Sequence, residues 1–195
     1  MPRFSDAEKE RLHNKLYAEG ERLFAEFGIK KVTIDDLVAA VGIAKASFYA
    51  FYESKEYLYL DIVQKLQQTI FADLEALLAS NSHLPNKERV LQVFGAMSQL
   101  MLQYPLLIKM DTATAEWIAR KVSSERLAIY HAQNFDAVQT LYNHGIRFTC
   151  DIQTASCAFR QIHLSWLRLQ GQGEEIQAAV THILLQGVID QVVVP

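Results

Sequence analysis

Cysteine, proline and glycine are all scarce in this chain of 195 residues, at two, four and eight copies. Two cysteines, Cys150 and Cys157, make no disulfide framework, and the expectation for both is a small buried hydrophobe rather than a redox pair. They lie seven apart and would share a face if both were helical. So little proline and glycine argues against many short strands and turns, and for long helices. No apolar run reaches the ~18 residues that a membrane span needs. The opening residues, Met1 to Glu8, lack the apolar core of a secretion signal, so a cytoplasmic location and no membrane contact are expected. Neither charge sign dominates either. The net charge is −3, and residues 1–55 carry nine basic and nine acidic side chains. Bulk charge therefore gives no sign of nucleic-acid binding, and any such reading must rest on where particular cations sit. There is no phosphate-cradling Gly-Lys-Ser/Thr loop, no nucleophile elbow and no paired-histidine zinc helix, and the histidines show no ligand spacing. Gly171 and Gly173 follow no strand. No metal and no cofactor are expected, and these absences weigh against an enzyme.

What is present is helical periodicity. Leu12, Leu16, Leu23, Phe24 and Phe27 recur on one stripe. Gly20 occupies that stripe too, where close packing by another helix would explain it, and Gly28 ends the segment. Thr33-Ile34-Asp35-Asp36 has the spacing of a capping box, followed by the apolar Leu37, Val38 and Val41 and then Gly42. A second short helix fits Lys45 to Phe51. Two helices of such length joined through one glycine must pack on the first, which is the helix-turn-helix pattern. Ser54 can cap a longer helix that runs to about Ala79. Beyond the loop at Ser80–Pro85, apolar spacing marks helices from Val90 to Leu102, Leu106 to Val122, Leu127 to Tyr142, Ile152 to Leu169 and Ile176 to Val188. Val192-Val193-Val194 is strand-like but too short and isolated to form one. The expected fold is all-α, with about nine helices. A three-helix domain over residues 1–53 would precede a larger helical domain over 54–195.

Residues 28–58 hold a candidate chemistry. Thr33 and the amides that open its helix could donate to a phosphate. Lys45 and Ser47 open the second helix, the end that probes a major groove, where Lys45 could reach guanine. Tyr49 and Lys55 could clamp backbone phosphates, and Lys30 and Lys31 lead in from the side. The acidic residues of the segment lie mostly on the first helix, away from this face.

Leu23–Gly28, Thr33–Tyr49, Phe51-Tyr52 and Ser54-Lys55-Glu56 together resemble the DNA-binding domain of TetR-type transcriptional repressors, over about the first 60 residues. The resemblance implies that Thr33 touches phosphate and that Lys45, Ala46 and Ser47 start the recognition helix. It gives Tyr49 and Lys55 backbone contacts and places Phe48 and Tyr52 in the core. Ala44 departs from a frequent capping serine, Ala46 from a frequent glycine, and Ala50-Phe51 from a polar or aromatic pair. The partners implied are a palindromic double-stranded operator, a small-molecule effector and a second copy of the chain.

The last helix is apolar over a wide arc that one core does not easily cover. Ala179, Ile183, Leu184, Gly187 and Val188, with Phe159 from the preceding helix, are the expected homodimer interface. Phe94, Met97, Met101, Trp117, Tyr130, Asn134, His163 and Trp166 are the expected ligand pocket, an apolar cavity with a few polar handles. The basic residues Lys87, Arg89, Lys109, Arg120, Lys121 and Arg126 are expected in solvent. A buried anion would then lack partners, so the effector is expected to be small, hydrophobic and neutral or cationic. The alternatives are an all-helical small-molecule enzyme or carrier with a structural N-terminal corner, and a protein-docking module.

Overall fold

The computed structural model describes residues 5–132, 136–169 and 171–195, and among them every regular element is a helix. The helices are α1 (Asp6–Phe27), α2 (Ile34–Val41), α3 (Lys45–Phe48), α4 (Lys55–Ser80), α5 (Asn86–Gln103), α6 (Pro105–Ile108), α7 (Thr112–Ala119), α8 (Ser124–Ala132), α9 (Ala137–Asn143), α10 (Ile152–Arg168) and α11 (Glu174–Val192).

Two of the expected helices are each realised as two. The run from Leu106 to Val122 breaks into α6 and α7 because Asp111 turns extended and its carboxylate accepts from the Thr114 amide at 2.7 Å. That bond ties the start of a new helix. The run from Leu127 to Tyr142 likewise becomes α8 and α9, with Asp136 accepting from the amides of Val138 and Gln139. α3 is shorter than the expected Lys45–Phe51. Beyond Phe48 the chain continues in tight turns, Ala50 N–H to Ser47 O and Phe51 N–H to Phe48 O.

The chain forms two compact units, each of two segments: residues 1–67 with 101–134, and residues 68–100 with 135–195. Unit one continues past residue 53 into α4, which is unbroken from Lys55 to Ser80.

In the first unit, Leu16, Leu23 and Phe24 of α1 are buried with Leu37, Val38 and Val41 of α2, Phe48 of α3, and Leu58, Ile62 and Val63 of α4. Gly20 is where α1 and α4 approach: a Cβ there would meet Ile62 Cδ1 at 3.0 Å and Leu58 Cδ2 at 3.1 Å. Gly42 ends α2 in the left-handed region (φ 78°, ψ 40°), which a side chain would strain.

In the second unit α10 packs on α9 and α11. Its centre holds Phe94 stacked on Phe159, ring centroids 4.6 Å apart. Arg89 is buried there and donates to the carbonyl of His144 at 3.0 Å. The C-terminal valines are not isolated: Val193 forms a single antiparallel bridge with Phe148, flanked by Thr149 N–H to Val192 O and Val194 N–H to Arg147 O, each 2.9 Å. Neither cysteine is fully buried as expected. Cys157 is exposed on α10, and Cys150 precedes that helix, so they share no helical face.

Candidate nucleic-acid interface

The N-terminal unit positions α3 through bonds that reach across the sequence. Lys15 of α1 donates to the Val41 carbonyl at 2.8 Å, closing the C-terminal end of α2. The Tyr52 hydroxyl meets His13 Nε2 at 2.8 Å. Phe48 is fully buried, so α3 is pinned by its one inward side chain while its remaining residues turn outward. Lys45, Ala46 and Tyr49 are exposed and Ser47 is half-buried. Tyr49 stands edge-on to Phe48 and is 53% exposed.

The start of α2 carries the expected capping box. Thr33 Oγ accepts from the Asp36 amide at 3.2 Å, and the Asp36 carboxylate accepts from the Thr33 amide at 2.8 Å and its hydroxyl at 2.6 Å. These bonds hold the Asp36 carboxyl below the usual carboxylate range. Ala44, by contrast, gives α3 no side-chain cap.

Two cations sit differently from their expected surroundings. Lys45 is paired with Asp35 at 3.0 Å, so an acidic residue does reach this face. The pair is half-exposed on both sides, and such pairs are weak and easily exchanged. Lys55 points back into the protein. Its ammonium donates to the carbonyls of Ile29, at 2.7 Å, and Val32, and lies 5.6 Å from the Trp117 ring centre. Burial lowers its pKa. Where the sequence reading expects a phosphate clamp, Lys55 makes a tie on the α1–α2 turn, which carries Lys31 and Thr33. Lys109 makes a similar tie, donating to Glu26 O at 3.1 Å and to Ala25 O. Lys30, Lys31 and Lys109 rim a cleft of about 220 Å³ floored by Phe24, Phe27 and Tyr59.

The candidate effector residues separate. Phe94, Met97, His163 and Trp166 lie in the second unit, and Met101, Trp117 and Tyr130 in the first. His163 stacks on Trp166, and burial lowers the imidazole pKa. Trp117 lies against the Lys55 ammonium. Asn134, and Phe135 beside it, lie outside the described residues.

The expectation that the middle cations are solvent-exposed fails for two of them. Arg89 is 7% exposed, and the Arg126 side chain only 15%. Arg126 is drawn inward by Asp61 and by Gln64, whose Oε1 accepts at 3.1 Å. Nothing in local spacing signals this, because Asp61 and Gln64 are more than sixty residues away in sequence.

Of the candidate interface residues, Phe159 is a correction: it is 2% exposed and stacked on Phe94 within its own chain. The α11 residues lie outward. Ile183 is 68% exposed and Leu184 39%, and a Cβ on Gly187 would meet nothing within 4 Å. Ala179 is exposed and Val188 half-buried. Among the described residues no helix is long and apolar enough to cross a membrane.

Residues 16–62 match the model of the family described as bacterial regulatory proteins, tetR family. No curated protein matches the chain in sequence. Solved structures share its fold along nearly the whole length. A transcriptional regulator of the TetR/AcrR family from Thermobifida fusca has 19% identity and a TM-score of 0.64, covering 91% of this chain and 98% of that one. A TetR family transcription regulator from Marinobacter aquaeolei has 21% identity and a TM-score of 0.61, covering 97% and 100%. The ketosteroid transcriptional regulator KstR2 of Mycobacterium tuberculosis has 18% identity and a TM-score of 0.61, covering 98% of each.

Proposed function

We propose that the protein, whose residues 16–62 match the tetR family of bacterial regulatory proteins, is a homodimeric, effector-released repressor of a palindromic operator. The observation that carries the reading is the split character of α3 and the residue that follows it: Phe48 is wholly buried while Lys45 and Ala46, and Tyr49 just beyond the helix, face solvent. A helix held by one side chain, with polar tips outward, suits a major groove. Lys45 and Ser47 would read base edges, Lys45 exchanging Asp35 for guanine. Lys31, Thr33 and Tyr49 would contact phosphates, and Lys55 would hold the turn that presents the first two.

Two such helices must enter successive major grooves about 34 Å apart, which requires a second copy of the chain. The outward apolar residues of α11, Ile176, Ile183 and Leu184, support that pairing. An effector with an apolar body would bind the helical part in the spacing that cannot engage DNA and shift the population, a coupling of ~1–3 kcal/mol. With Arg126 turned inward, the argument that limited this effector to neutral or cationic molecules loses its premise. A DNA target implies a cytoplasmic protein.

The test is direct. Purified protein is titrated against the DNA flanking its own coding sequence, searched for inverted repeats, at several salt concentrations. The expected result is a shift of one palindromic fragment, far tighter than unrelated DNA and weakening steeply with salt. Equal affinity for all fragments, or none, overturns the reading.

A further inference from the structure

The cleft rimmed by Lys30, Lys31 and Lys109 lies wholly within the first unit. Its volume is about 220 Å³, below the ~300–1,000 Å³ of pockets for drug-sized molecules, so it suits a body of one or two rings. Its walls are tied in place. Lys55 holds the α1–α2 turn through the Ile29 carbonyl at 2.7 Å, and Lys109 reaches the end of α1 through the Glu26 carbonyl at 3.1 Å. Phe24 and Tyr59 of the floor are buried and pack edge to face, ring centroids 5.3 Å apart. Phe27 lines the same cleft yet is 50% exposed, so the floor keeps an uncovered aromatic ring.

The rim is cationic and unmatched. No acidic residue lines the cleft, and among the described residues none of the three lysines is in an ion pair. The neighbouring acids are engaged elsewhere. Glu26 turns to Arg22, 3.4 Å away. Asp111 is held below the ordinary carboxylate range first by its bonds to Thr114, and Lys30 adds only its charge. Lys109 spends two of its three N–H donors on the Ala25 and Glu26 carbonyls and keeps one. An uncovered ring beneath unpaired ammonium groups complements a molecule that is apolar at one end and anionic at the other.

We propose that this cleft is a second small-molecule site, separate from the effector pocket of the helical part, and that it takes an aromatic carboxylate. The ring covers Phe27 and the carboxylate accepts from the lysines of the rim. A bare phosphate would meet the lysines and leave Phe27 in water. A hydrocarbon would cover Phe27 and leave the cations unpaired, and an amine would be repelled. Lys31 is also a phosphate contact of the proposed repressor, so an occupied cleft withdraws it from DNA; that consequence rests on the repressor reading.

The experiment uses the full-length protein without DNA and three probes: 2-naphthoate, 2-naphthylmethanol and acetate. Binding is followed by calorimetry at low and high salt, and by NMR of the Gly28 and Lys31 backbone amides. At low salt 2-naphthoate should bind about tenfold more tightly than the alcohol, the worth of one hydrogen bond to a charged group, and this advantage should shrink at high salt. Acetate, which has no ring, should bind more weakly than either, and 2-naphthoate should move both amide signals. Lys30→Gln with Lys31→Gln, at two exposed positions, should bind 2-naphthoate and the alcohol alike. Phe27→Ser should weaken 2-naphthoate about tenfold. Equal wild-type binding of 2-naphthoate and the alcohol, acetate as tight as 2-naphthoate, unmoved amide signals, or wild-type 2-naphthoate binding by the double variant would each overturn the proposal. The salt dependence and the amide signals are read on the wild-type chain, so the test survives a variant that does not fold. A protein that binds 2-naphthoate here but binds no operator keeps the site and loses the regulatory reading. One that binds its operator and takes no 2-naphthoate loses the site alone.

Discussion

The helix-turn-helix segment and the terminal pair α10–α11 dispose of their long side chains in opposite ways. In the first, lysines reach inward: Lys15 and Lys55 each donate to backbone carbonyls at a helix end or turn. In the second, isoleucine and leucine point outward, with Ile183 more exposed than any other large hydrophobic residue described. Short helices such as α2 and α3 cannot stand alone, and unmet carbonyls at their ends need donors. The lysines supply those donors from within one chain. An apolar face has no such recourse and needs another surface. One region meets its own unmet groups, and the other leaves an apolar face that the proposed second copy would cover.

The sharpest way to break that contrast is within the second unit, by comparing a stacked phenylalanine with an outward isoleucine. Phe159→Ala should lower stability by about 3–5 kcal/mol, because it empties the stack with Phe94. Urea unfolding checks this, and a loss below 1 kcal/mol would return Phe159 to the surface. Ile183→Asp should leave the circular dichroism of the fold unchanged and convert the dimer to a monomer on sizing chromatography. Operator affinity should fall by more than about a hundredfold, as expected if two symmetry-related isoleucines, each worth ~1.5–3 kcal/mol, lose their burial. A dimer that survives the aspartate would place the second copy elsewhere.

Lys55→Met comes next in size. The loss of the ammonium from two carbonyls should cost about 1.5–3 kcal/mol of stability. DNA affinity should fall because Lys31 and Thr33 lose their turn, yet the salt dependence should stay as it was. Lys31→Met should do the reverse, keeping stability and lowering the salt slope by about one. Titrations at four salt concentrations separate the two. A lower slope for Lys55→Met would restore it as a phosphate contact.

These two lysines also show what a sequence discloses. The box at Thr33 and Asp36, the stops at Gly28 and Gly42 and the close approach at Gly20 are legible because each is decided within a few residues, by spacing and backbone sterics. Asp111 and Asp136 were legible in the same sense, as acids that accept from amides two or three residues on, but the apolar spacing on either side hid them. Lys55, Arg126 and the bridge of Val193 with Phe148 were not legible. Their partners lie between 23 and 65 residues away and are chosen by the fold. The separation of the candidate pocket residues into two units has the same origin.

Asp35→Asn tests the outward side of the reading head. It removes the partner of Lys45 while keeping a polar side chain in the first turn of α2. Exposed pairs contribute ~0–1 kcal/mol, so stability should barely change and operator affinity should rise two- to fivefold. Weaker binding would mean that Asp35 orients Lys45 for its base rather than competing with it.

The smallest effect belongs to His163, and it probes the inward side of the second unit. Burial against Trp166 lowers its pKa below the ordinary value of 6.5, so the folded chain resists a proton that the unfolded chain accepts. The unfolded state then binds more protons between the depressed folded pKa and 6.5, and stability falls as pH drops through that window. Above 6.5 the contribution is fully present, and below the folded pKa no more is lost. The capping carboxylates Asp36, Asp111 and Asp151 are all lowered from 3.8, so their own losses lie in more acid solution and do not overlap this window. His163→Gln keeps a polar side chain of similar reach but cannot titrate. Denaturant unfolding at pH 7.5 and at pH 5.5 should give a smaller difference for the variant than for the wild type. An equal difference would mean that the imidazole is protonated in the folded chain and that the stack with Trp166 opens to solvent.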